Sequence, residues 1–165
     1  NYDLPSGQIF DSLSRDYFII ISGVIFKKEI FLKFGMFNEN FNIIGDYEFI
    51  MKISKSTNAH SINLPLINYR VHENNFSKIY SKMFYEEYKT WFEVCSNDKR
   101  DLFFFKNIKL FQNKLNYLEI SHLLMNSKKK YSTLIKIINH NIFFEKVKFL
   151  ILFLLPKKLF KFLKK

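Results

Sequence analysis

The placement of chain breakers constrains this 165-residue polypeptide more than any other feature. All four glycines (Gly7, Gly23, Gly35 and Gly45) fall in the first 45 residues. That half carries the turn punctuation of a compact mixed α/β domain, whereas the second half, almost free of breakers, reads as helices. Ser6-Gly7 leads into a short helix through Ile9, Phe10 and Leu13. Residues 17–26, YFIIISGVIF, are β-branched and aromatic and too apolar to alternate, which predicts a buried central strand. Ser22-Gly23 interrupts that run, and a glycine in a strand marks either a bulge or a close approach by a ligand or another backbone.

Residues 27–34 predict a short helix closed by Gly35. Asp46 opens the next helix, with Tyr47, Ile50, Met51 and Ile53 as its buried side. An aspartate there has a local explanation, since it caps the helix and complements its dipole. A strand pair bent at Pro65 follows, and long helices are predicted over about 78–95, 102–126 and 131–139. Leu115, Leu118, His122 and Met125 share a helical spacing, so His122 reads as a packed or rim residue rather than a ligand.

The chain is 48% hydrophobic and 19% aromatic, with 21 phenylalanines, which excludes a disordered polar chain. Its length allows one domain with a proper core, or half of a larger domain plus an appendage. The single Cys95 excludes an internal disulfide, fits a reducing compartment, and has no base beside it in the sequence, so it reads as a buried thiol. Charge is distributed unevenly. Residues 1–75 carry 7 Lys/Arg against 8 Asp/Glu, and residues 76–165 carry 19 against 7. This asymmetry points the second half at an anionic partner, lipid or nucleic acid, or reflects a lysine-rich compositional habit. Only Arg15, Arg70 and Arg100 are arginines, which argues against base-edge readout of nucleic acid.

Residues 149–155, FLILFLL, are far short of the roughly 20 that a spanning helix needs. Beyond Pro156, Lys157, Lys158, Lys161, Lys164 and Lys165 share one helical face and Leu159, Phe160, Phe162 and Leu163 the other. Such a basic amphipathic end suits an anionic membrane surface, or else packs on its own domain with its lysines in water. No GxSxG, HExxH, phosphate-cradling glycine loop or Cys/His ligand spacing occurs, and the four histidines are scattered.

Two phrases stand in order between 35 and 77. The first is Gly35-Met36-Phe37-Asn38-Glu39-Asn40-Phe41, then Gly45-Asp46-Tyr47-Glu48-Phe49-Ile50-Met51-Lys52. The second is Ile62-Asn63-Leu64-Pro65-Leu66-Ile67-Asn68-Tyr69-Arg70-Val71-His72, followed by Asn74-Asn75 and Ser77. Together they resemble the end of the catalytic domain in family 2 glycosyltransferases, inverting enzymes of GT-A fold. Two positions depart from that pattern: the usual Glu before the catalytic Asp is Gly45, and the usual Arg six positions after it is Lys52.

The resemblance implies an α/β fold for 1–77, as the acceptor-side half of a GT-A domain, followed by a helical extension over 78–165 with a basic tail. It implies transfer of a sugar from a nucleotide donor to a glycan or lipid-linked acceptor in surface-polysaccharide synthesis, with Asp46 as the general base. Glu48 is a poorer second choice for that base. Ser22 and Gly23 lie beside the acceptor. Arg70 and His72 belong either to the site or to the scaffold, and His72 is a candidate metal ligand. A divalent cation, magnesium or manganese, is expected, with its main ligands on an Asp-x-Asp strand end that this sequence lacks. A first residue of Asn rather than Met suggests a fragment, and an isolated chain without a nucleotide-binding half is expected to be inactive. The expected location is the inner face of a membrane, peripheral through residues 157–165, with no nucleic acid partner. The rival reading is a non-catalytic basic helical module that binds membrane or a protein partner.

Overall fold

The computed structural model describes residues 3–70, 72, 75, 81–125, 131–140 and 142–154. Among the described residues the backbone forms seven α-helices and no β-sheet: α1 Phe10–Arg15, α2 Lys28–Phe34, α3 Gly45–Ser54, α4 Ser81–Asn97, α5 Leu102–Met125, α6 Tyr131–Ile138 and α7 Phe143–Leu154. The helices expected near 9–13, 27–34, 46–53, 78–95, 102–126 and 131–139 have counterparts among the described residues, and the expected tail helix over 157–165 lies outside them. The α/β expectation does not hold among the described residues.

The expected central strand over 17–26 is extended at its flanks but turns through a 3₁₀ segment at Ile21–Gly23, closed by the Gly23 N–H on the Ile20 carbonyl (2.8 Å). It is not buried either, since Ile25 is 97% exposed. The expected strand pair around Pro65 is likewise single and largely exposed. Its bonds to the N-terminal segment pair side chains of one segment with backbone of the other. The Leu4 N–H donates to Asn63 Oδ1 (3.1 Å), Ser61 Oγ donates to the Leu4 carbonyl (2.8 Å), and the Ser61 N–H donates to Ser6 Oγ (3.0 Å). Serine and asparagine side chains thus take up backbone groups that a ladder would use. One antiparallel bridge, Gly7 to Ala59, is all the β-pairing among the described residues. Gly7 adopts φ 85° there, a conformation that favours glycine.

The chain divides into two compact units, Asn1–Leu110 and Phe111–Lys165. In the first, α3 is the hub. Its predicted buried residues, Tyr47, Ile50, Met51 and Ile53, are indeed buried. Phe49 joins them at 0% exposure and sits among Phe26, Phe31 and Phe37, with ring centroids 5.7, 5.5 and 4.7 Å away. On another side of the helix, Tyr47 meets Tyr88 and Trp91 of α4, at 5.7 and 5.1 Å, and Trp91 reaches Phe104 of α5 at 5.9 Å. Aromatic pairs at these spacings contribute beyond their buried area. Helix α1 is tied to α5 by Asp11, which accepts from Lys106 Nζ (2.6 Å) and Asn107 Nδ2 (2.9 Å). Helix α2 ends as read, with Gly35 at φ 80°. The second unit packs Ile120, Leu124, Ile137 and Phe149 into its own small core.

Phe49→Ala removes the centre of a four-ring cluster and should cost about 3–5 kcal/mol in urea unfolding of the first unit. Ile25→Ser, at a solvent-exposed position, should stay within about 0.5 kcal/mol of the parent.

Candidate functional site

The candidate site is built on the first turn of α3. The helix enters from Ile44, whose side chain cannot cap it, and Asp46 is not the cap residue but lies two positions further in. The cap comes instead from another helix. Glu87 of α4 accepts three consecutive backbone N–H groups: Asn42 on Oε1 (3.0 Å), Ile43 on Oε2 (2.8 Å) and Ile44 on Oε2 (3.1 Å). A carboxylate here satisfies the Ile44 N–H at the helix start and the two N–H groups just before it, and meets the positive end of the helix dipole. It also fixes the backbone immediately before Asp46.

Asp46 is half-buried, and its Oδ1 accepts the Tyr47 N–H at 2.7 Å. Burial holds its carboxyl above the ordinary aspartate range, against the pull of the N–H groups of Tyr47 and of Asp46 itself. Tyr17 stands close enough that the Asp46 charge, after burial, raises its phenol above the usual range. A cleft of about 390 Å³ opens beside Asp46, lined by Ile21, Phe37, Phe41, Asn42, Ile43 and Gly45. Its size lies in the range of small-molecule sites, roughly 300–1,000 Å³, and its lining mixes apolar walls with a single carboxylate.

The other predicted site residues separate into two groups. Ser22 and Gly23 belong to the 3₁₀ turn whose first residue, Ile21, lines the Asp46 cleft. A Cβ added at Gly23 would stand 3.1 Å from Ile67 Cδ1, so the glycine does mark a close approach, by a side chain of this same chain. Arg70 and His72 are exposed and do not line that cleft. Asn75 ties them together: its Nδ2 donates to the Arg70 carbonyl (3.1 Å), and its Oδ1 accepts the His72 N–H. Glu48 is half-buried and its carboxyl also sits above the ordinary glutamate range because of burial, offset by Lys52 and Lys55. It does not line the cleft, which leaves Asp46 as the acidic residue facing it. Cys95, whose thiol burial pushes up to about 12, is no nucleophile at neutral pH.

Sequence reasoning missed Glu87 and Tyr17. Glu87 sits in an ordinary charged stretch, Glu86-Glu87, more than forty residues from the amides it binds, and nothing local distinguishes it. Tyr17 carried a signal, the one hydroxyl at the start of an apolar run. Among the described residues no group of three or more His, Cys, Asp or Glu gathers that could hold a metal ion.

Glu87→Ala leaves three N–H groups without their carboxylate and should lower unfolding stability by about 2–3 kcal/mol, while Glu87→Gln, which keeps one acceptor oxygen, should lose about 1 kcal/mol. Amide exchange at 42–44 should quicken in both variants, more so in the alanine one. Comparison of the chain with protein-family models, with curated proteins and with solved structures finds no match.

Proposed function

We propose that residues 35–70 form the acceptor-side wall of an inverting glycosyl-transfer site, with Asp46 as its general base. The observation that carries this reading is the Asp46 carboxyl itself. It is half-buried, raised above its ordinary range, and faces a cleft walled by Phe37 and Phe41. A base held within reach of an acceptor hydroxyl, with its proton affinity raised by burial, is what attack on an anomeric carbon calls for. Aromatic and aliphatic walls suit the apolar face of a sugar ring, and the Asn42 side chain offers both a donor and an acceptor to its hydroxyls.

In this reading the acceptor oxygen forms a bond to the anomeric carbon of a nucleotide sugar. The bond from that carbon to the diphosphate oxygen breaks, and its electron pair leaves with the nucleotide. The hydroxyl proton passes to Asp46. The fixed backbone at 42–44 keeps the carboxylate in register while the charge moves. The acceptor is a glycan or a lipid-linked sugar, in keeping with the family resemblance of the 35–77 phrases.

In a polypeptide that joins this stretch to a nucleotide-sugar-binding half, Asp46→Asn should lower turnover at least about a hundredfold. Transfer within a few-fold of the parent would exclude Asp46 as the base. Stability gives an independent check. The folded chain holds the Asp46 proton more tightly than the unfolded chain, whose ordinary value is 3.8. Ionisation therefore weakens the fold as pH rises through the folded value, and this penalty is absent below 3.8. Asp46→Asn should be at least as stable as the parent at pH 7, and any gain should vanish in acid.

A further inference from the structure

The helix α7, Phe143–Leu154, has two apolar sides, and among the described residues only one is packed on the unit's core. Its inward side holds Phe149, 1% exposed, with Tyr117 at 5.1 Å and His140 at 5.7 Å between ring centroids. Leu150, Leu152 and Phe153 pack partly on the same core. The outward side carries Phe143, Phe144, Val147, Ile151 and Leu154, all exposed, Phe144 at 84% and Leu154 at 79%. At helical spacing these five residues lie within an arc of about 100°. An apolar arc of that width facing water is uncommon in a soluble domain and marks a contact surface.

The charge of this unit, read from its sequence, points to the kind of contact. Residues 111–165 hold twelve lysines against two acidic residues, Glu119 and Glu145. Both acids face groups of the same unit: Glu119 pairs with Lys136, and Glu145 lies 3.2 Å from His140 Nε2. At the edge of the arc, Lys148 keeps its ammonium near Tyr117, 5.7 Å from the ring centroid. A second copy of so positive a unit would be repelled, and nucleic acid has no use for a row of five hydrophobic side chains. A lipid surface with anionic headgroups satisfies both features at once. The helix is about 18 Å long, too short to cross a bilayer, and no helix among the described residues is long and apolar enough to do so.

We propose that α7 lies in the plane of an anionic membrane surface, with Phe143, Phe144, Val147, Ile151 and Leu154 buried at the headgroup boundary and the unit's lysines on the headgroups. This is independent of the Asp46 reading and differs from contact through residues 157–165 alone, because it places the acyl-chain contact on α7.

The test uses the full chain and vesicles of phosphatidylcholine, with and without phosphatidylglycerol. The chain should sediment with the anionic vesicles, bind them less as salt rises, and leave the neutral ones. A Phe144→Trp variant should show added emission that shifts to the blue on binding and is quenched by brominated acyl chains. The existing Trp91, buried in the other unit, supplies the reference signal of the parent. Phe144→Ser with Ile151→Ser, checked for helix content by circular dichroism, should weaken binding at least about tenfold, since each lost side chain removes more than that factor in apolar burial. Leu102→Ser, exposed in the first unit, should bind as the parent does.

Unchanged binding by the double serine variant would overturn the proposal, as would added indole emission in Phe144→Trp that brominated lipid does not quench. So would equal binding to neutral vesicles. Two further outcomes would give the arc to another occupant and likewise overturn it: self-association of the parent that the serine pair abolishes without touching vesicle binding, or displacement from vesicles by DNA with quenching lost. If the serine pair fails to fold, the quenching of Phe144→Trp still gives the answer.

Discussion

Three amide protons on one carboxylate hold the front of this molecule together. Glu87 reaches from α4 to the N–H groups of Asn42, Ile43 and Ile44, and Ile44, the N-cap residue of α3, makes no side-chain cap bond of its own. The contact joins two segments far apart in sequence and orients the dipole of α3. It also sets the backbone from which Asp46 projects. Asn42 and Ile43 line the same cleft, so the groups that Glu87 restrains are also walls of the site. Structural and chemical roles meet in one turn.

Helix α3 then divides the aromatic content of the first unit between two clusters, with Phe49 in one and Tyr47 in the other. Lys52 and Gly45, where the 35–77 phrases differ from the pattern they resemble, have local surroundings of their own. Lys52 donates its Nζ to the Phe34 carbonyl (2.6 Å), holding the last turn of α2 against α3. Gly45 lines the cleft, and a Cβ added there would meet nothing nearer than 3.9 Å. Space does not demand the glycine, but its lack of a side chain leaves the cleft open beside Asp46.

The helices are legible because their signals are local. Gly35 stops α2, the buried positions of α3 repeat at helical spacing, and the second half has too few breakers to do anything else. The sheet is not, because a strand is a property of two segments. The run 17–26 says that its backbone tends to extend, but nothing in it says which neighbour will pair, and Ser61 and Asn63 answer the nearby backbone with side chains instead. Asp46 can be picked out from its place in a phrase, whereas Glu87 cannot, since a carboxylate that binds remote amides looks in sequence like any solvated glutamate. The basic run 157–165 lies outside the described residues, and the apolar arc of α7 becomes visible only once the buried side of that helix is known.

The fold places the Asp46 carboxyl in a half-buried, cleft-facing position where it holds its proton more tightly than a free aspartate. Its titration, followed at the side-chain carboxyl carbon by nuclear magnetic resonance, measures this directly. A midpoint above the ordinary aspartate value of 3.8 is the predicted result. A midpoint at or below 3.8 would show a solvated or charge-paired carboxylate, and would contradict the account.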